Sequence, residues 1–146
     1  MQRHLLIIAH GSRRQTSNDE VRRLGGLVAG LRSPGIDHVE VAFLELAEPD
    51  IAAGLRRCAM AGATEIVVLP YFLAAGTHVA EDIPAELARF ADVYPHIHLR
   101  LTAHLGASPA LPRAILDVAT EAGVEHALTT CAIGRAGAAP IKHPPA

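Results

Sequence analysis

The chain has 146 residues, half of them apolar and 19% charged, with a formal charge of −2 at pH 7. That length and balance suit one compact domain with a core of its own, and they exclude a disordered chain and a broadly basic nucleic-acid binder. With no tryptophan and only 3% aromatic residues, the core has to be built from Ala, Val, Leu and Ile, which suits parallel strands covered by helices on both faces.

Residues 4–9, HLLIIA, form a short continuous apolar run that reads as a buried strand. Beyond the GSRR turn, SNDEVRRLGGLVAGLR brings Val21, Leu24, Val28 and Leu31 round at helical spacing, so a helix follows. The second unit repeats this order. HVEVAFLE is rich in β-branched residues and follows the turn-like SPGID, and EPDIAAGLRRCAMAG then sets Ile51, Leu55 and Cys58 on one helical stripe. Pro49 suits the first helical position, where its missing N–H loses no bond. TEIVVLP is the third strand. A long loop, YFLAAGTHVAEDIP, is expected after it, with Pro84 near the junction to a helix that turns Ile83, Leu87 and Phe90 inward. The fourth unit pairs HIHLRLT with SPALPRAILDVATEAG, in which Leu111, Ile115 and Val118 fall at i, i+4 and i+7.

Four strand–helix units in alternation predict a three-layer α/β/α domain over residues 1–128, with a central parallel four-stranded sheet and right-handed crossovers. A flavodoxin-like order, 2-1-3-4, is expected and makes strands one and three neighbours. Residues 129–146, rich in Gly, Ala and Pro without periodicity, read as a mobile tail or an arm draped on a partner. Cys58 and Cys131 form no CxxC pair, so neither a disulfide framework nor a zinc knuckle is indicated, and a cytoplasmic protein is expected. LLIIA is too short for a signal peptide or a membrane span, and no membrane association is expected.

In open parallel sheets ligands bind beyond the carboxyl ends of the strands, where strand order reverses. That rule selects His10 after the first strand, Glu45 at the end of the second, and His78 in the loop after the third. Neighbouring strands lie about 4.8 Å apart, so two imidazoles and a carboxylate can face one cleft. Imidazole suits first-row cations, and two neutral histidines hold a metal without sealing it, unlike a four-ligand structural site. Glu45 can orient a histidine, balance the cation or take part in proton transfer. The small residues Ala74, Ala75, Gly76 and Thr77 would let backbone approach a large flat ligand, and Arg13 and Arg14 could pair with carboxylates on it.

The stretches LLIIAHGSRR, VAFLELAEPDI and EIVVLPYFLAAGTHVAEDIP resemble, in order and spacing from about residue 4 to residue 118, the sirohydrochlorin chelatase family in its short CbiX-type form. Members insert a divalent ion, cobalt, nickel or iron, into sirohydrochlorin, a flat tetrapyrrole fringed with carboxylates. The resemblance implies that His10 and His78 bind the metal, that His10 accepts protons, and that Glu45 and the loop from Leu73 to Thr77 contact the substrate. It also implies a homodimer, since the long forms of the family carry two such units in one chain. The metal is then a substrate, cobalt foremost, with no permanently bound cofactor. Many relatives read PLGxHP after the fourth strand, whereas this chain has HLGASPAL, with Ser108 at the histidine position and His104 earlier.

Plainer readings stand beside these. Arg13 and Arg14 suit a solvated loop face, His4 and His38 look like solvent-facing strand entries, and His126 and His143 fall late and without partners. His96 and His98 have ligand-like HxH spacing, yet on an expected edge strand polar residues are ordinary. Cys58 reads as core. A histidine phosphatase also places a histidine after a first strand, but as RHG; here Ala9 precedes His10 and the phosphate clamp is missing. A non-catalytic metal or tetrapyrrole carrier would use the same two histidines.

Overall fold

In the computed structural model the described residues are 1–121, excluding the side chains of Thr77 and His78. The chain divides into two units, Met1–Ser108 and Pro109–Ala146. In the first, the strands are β1 (Arg3–Ala9), β2 (His38–Phe43), β3 (Glu65–Pro70) and β4 (His98–Leu101), interleaved with helices α1 (Gln15–Gly30), α2 (Ile51–Met60) and α3 (Thr77–Val93). The sheet is parallel with the order β2-β1-β3-β4, as expected.

Alternation along β1 divides the core into two faces. Leu6 and Ile8 point to the α2–α3 side, where they join Ala42, Ile51, Leu55, Cys58, Ile66, Val68, Ile83, Leu87 and Phe90. Ile7 and Ala9 point the other way and meet Val41 and Phe43, with Val21 and Val28 of α1 packed over them. Both faces of the central strands are therefore apolar, which explains why β1 and β3 read as unbroken hydrophobic runs.

Three expectations need correction. The segment after β3 is a loop only to Gly76, because α3 begins at Thr77 and takes Pro84 into its interior; the bond lost at the proline is outweighed by the burial of Ile83, Leu87 and Phe90. Pro49 does not open α2: Asp50 caps it, its carboxylate accepting from the Ala53 N–H at 2.8 Å, and the Glu48–Pro49 bond is cis. His4 is not a solvent-facing entry but a residue of β1 that is 1% exposed. Two smaller differences are that β4 starts at His98, so His96 precedes the strand, and that Leu31 of the expected first stripe is exposed.

In the second unit, α4 (Leu111–Ala119) carries Pro112 in its first turn and buries no residue, so the stripe of Ile115 and Val118 is exposed. The expected tail 129–146, the 128/129 boundary, His126, His143 and Cys131 lie outside the described residues.

His4 makes the fold sensitive to acid. It pairs in register with His38, the two rings 5.0 Å apart, and its Nδ1 is buried without a hydrogen-bond partner. Burial first, and the neighbouring His38 second, push its pKa below the ordinary histidine value, against the pull of Asp37 and Glu40. The folded chain then keeps His4 neutral where the unfolded chain takes a proton, so stability rises with pH across this window. Unfolding by urea should show stability fully present above pH ~6.5 and falling as the pH is lowered through the depressed value. His4→Phe should flatten that slope, and an unchanged slope would show that other groups set it.

Candidate functional site at the carboxyl edge of the sheet

The ladder of β1 and β2 continues past the strand ends, to His10 after β1 and to Leu44 and Glu45 after β2. The Leu44 N–H donates to the Ala9 carbonyl at 2.9 Å and the Glu45 N–H to the His10 carbonyl at 3.1 Å. His10 and Glu45 thus leave the sheet together, and His10 Nδ1 lies 3.7 Å from Glu45 Oε1. That distance is beyond a hydrogen bond but places a carboxylate beside the imidazole, where it can offset a positive charge on the ring or on an ion held by it. Both side chains are more than half exposed, so ligands can reach them. On its other flank the His10 ring meets the edge of Phe72, centroids 6.3 Å apart.

Gly11 makes this approach possible. It has φ +93°, and a Cβ built there would sit 1.7 Å from the Glu45 carbonyl oxygen. Gly106 has a matching role on the other side. Its N–H donates to the Phe72 carbonyl at 2.9 Å, and a Cβ there would lie 1.8 Å from the Leu73 carbonyl oxygen. The HLGASP segment therefore supports the loop that carries Leu73, Ala74, Ala75 and Gly76, all four exposed. Leu46, after Glu45, also has a left-handed φ of 64°, a conformation that costs a leucine on the order of 1 kcal/mol and tends to occur where structure serves a site.

A cavity of about 490 Å³ opens beside His10 and Glu45. Leu44 and Ile51 line one side, and α3 supplies Val79, Asp82, Ala85, Glu86 and Arg89. Val79, Asp82, Glu86 and Arg89 fall at i, i+3, i+7 and i+10, one face of the helix. Sequence reading missed these residues because the expected loop absorbed the first two; the helical spacing was present but interrupted by Pro84. Arg89 is paired with Glu86 at 2.5 Å, so three carboxylates and one guanidinium surround the space. Such a wall favours a cation over an anion.

The other expected site residues are placed less closely. Arg13 and Arg14 are exposed at the start of α1 and make no ion pair among the described residues. Thr77 and His78 belong to the first turn of α3, and their side chains lie outside the described residues. Among the described residues no three His, Cys, Asp or Glu side chains converge on a metal-binding point. Cys58 is no substitute ligand: burial, and then the charge of Glu40, push its thiol up to about 12, so it stays protonated.

The family model described as CbiX matches residues 4–122. The sirohydrochlorin ferrochelatase of Bacillus subtilis is 32% identical over 127 residues, covering 86% of this chain and 48% of that protein. The sirohydrochlorin cobaltochelatase of Methanopyrus kandleri is 36% identical over 83 residues, 57% of each chain. The solved structure of the sirohydrochlorin chelatase SirB from Bacillus subtilis subspecies spizizenii, in complex with cobalt, aligns with a TM-score of 0.71 and 33% identity over 80% of this chain and 49% of that one. The chain spans about half the length of the curated relatives it matches.

The contact at Gly11 yields a direct prediction. Gly11→Ala should lower stability by more than about 2 kcal/mol, since strain at φ +93° adds to the overlap with Glu45. Gly26→Ala, where a Cβ meets nothing within 4 Å, should instead raise it by about 1 kcal/mol. Urea unfolding of the two variants checks both signs.

Proposed function

Since this chain belongs to the CbiX family, we propose that it is a metal chelatase that inserts a divalent ion into sirohydrochlorin. The observation that carries the proposal is the His10–Glu45 pair at the mouth of an acidic cavity, a place to hold a cation beside a proton acceptor. Both ferrochelatase and cobaltochelatase are names of its relatives. We place cobalt first, with iron and nickel as the alternatives.

In this reading the ion is held by His10 and His78, with Glu45 beside them, and ligand and base share one location. His78 enters from the sequence alone. Two pyrrole N–H protons must leave as one divalent ion enters, so charge is conserved. As the ion passes to the macrocycle and frees the ring nitrogen, His10 takes one proton and Glu45 stabilises the imidazolium; once that proton has passed to solvent, the second pyrrole proton leaves by the same route. The tetrapyrrole rests on the Leu73–Thr77 loop, where Ala74, Ala75 and Gly76 keep backbone accessible. Arg13 and Arg14 meet its peripheral carboxylates. The acidic lining repels those carboxylates, so the macrocycle presents its face to the cavity rather than entering it.

A homodimer is part of the proposal, as the family resemblance implies. A cytoplasmic site of action goes with it, supported by the free thiol of Cys58. No helix among the described residues is long and apolar enough to cross a membrane.

Anaerobic incubation with sirohydrochlorin and Co²⁺, Fe²⁺ or Ni²⁺, followed by absorbance, tests the activity. The protein should accelerate insertion of at least one ion over the uncatalysed rate, and His10→Ala and Glu45→Gln should each reduce that rate by about 10²-fold or more. Absence of acceleration with every ion would overturn the chelatase proposal. Sedimentation should give twice the chain mass; a monomer that is fully active would remove the dimer from it.

A further inference from the structure

We propose that Asn18 is a positioning residue for metal insertion, acting through the main chain of Ser12 to hold His10 against Glu45; the proposal rests on the chelatase reading. Asn18 lies on α1, whose only buried residues are Asn18 and Gly25, and it is 2% exposed. A carboxamide this deep has to be satisfied. Its Oδ1 accepts from the Ser12 N–H at 2.9 Å, and its Nδ2 donates to the Ser12 carbonyl at 2.8 Å and to Gln15 Oε1 at 3.2 Å. One side chain thus engages both main-chain polar groups of a residue that belongs to no strand or helix.

Ser12 is separated from His10 only by Gly11. The ladder reaches as far as the His10 carbonyl and no further: the Leu44 N–H donates to the Ala9 carbonyl and the Glu45 N–H to that of His10 itself. On its downstream side His10 is joined to a glycine, the residue with the widest conformational freedom. Without a second anchor, Gly11 could rotate the following peptide and loosen the 3.7 Å approach of His10 to Glu45. Asn18 supplies that anchor from a rigid helix. The same turn is tightened by the Arg14 N–H, which donates to Ser12 Oγ at 3.1 Å. The chemistry requires an amide: aspartate keeps the acceptor for the Ser12 N–H but sets an oxygen against the Ser12 carbonyl, and leucine removes both bonds at similar volume.

The test compares Asn18→Asp and Asn18→Leu with the wild-type chain in two assays, after urea unfolding has established which variants are folded at the assay temperature. The first is insertion of Co²⁺ into sirohydrochlorin, and the second is titration with Co²⁺ alone, read by its visible ligand-field absorption. A misplacement of about 1 Å costs about 10²-fold, so kcat should fall by that order while KM for the tetrapyrrole changes by less than about threefold. The cobalt spectrum should move toward that of His10→Ala. Should the leucine variant fail to fold, the aspartate variant, which retains one bond, decides the matter. A folded variant with lower stability but wild-type kcat and cobalt spectrum would overturn the proposal and leave Asn18 a structural residue. If the wild-type chain accelerates no insertion, the chelatase reading fails by itself. The cobalt titration then still decides whether Asn18 positions His10, with a shifted spectrum for it and an unchanged one against.

Discussion

The site depends on a main-chain contact between the ends of two parallel strands. Where β1 ends, Gly11 turns with a left-handed φ and brings its α-carbon so close to the Glu45 carbonyl that no side chain fits between them. Two further ladder bonds, from Leu44 to Ala9 and from Glu45 to His10, tie the same strand ends together. An imidazole and a carboxylate are thereby brought side by side by backbone geometry, with no direct hydrogen bond between the side chains. This leaves both groups exposed and available to a ligand.

The surroundings divide the work by charge. Glu45, Asp82 and Glu86 make the cavity hospitable to a cation, and the single guanidinium among them is already paired. Arg13 and Arg14, which make no ion pair among the described residues, sit instead on the exposed turn leading into α1. In the proposed chelatase, the metal ion and the polyanionic macrocycle reach His10 from different sides. The supports are ordinary packing elements: the sheet fixes the strand ends, α1 holds the turn through Asn18, and the segment around Gly106 braces the loop that precedes α3.

Much of this was legible in the sequence. The alternation of apolar runs with helical stripes was enough for the parallel sheet, because it follows from a core that must cover two faces, while the strand order came from the commonest arrangement of so few strands. The position of His10 and Glu45 followed from the rule that such sheets bind at their carboxyl edge. The start of α3 did not follow, because a proline inside a helix looks locally like a boundary and only the burial of Ile83, Leu87 and Phe90 overrides it. His4 was misplaced for a similar reason. A polar residue at the head of a strand suggests solvent, yet His4 is buried, with its register partner His38 holding a second ring 5.0 Å away. Asn18 was invisible because two of its three hydrogen bonds go to the main chain of Ser12, and no side-chain pattern reports a hydrogen bond to a peptide group.

The most direct measurement is anomalous X-ray scattering at the cobalt edge from crystals of this protein grown with Co²⁺. A cobalt peak is expected within bonding distance of His10, at the mouth of the cavity and beside Glu45. A peak confined to other residues, such as His96 and His98, or a site from which His10 is absent, would contradict the proposed site.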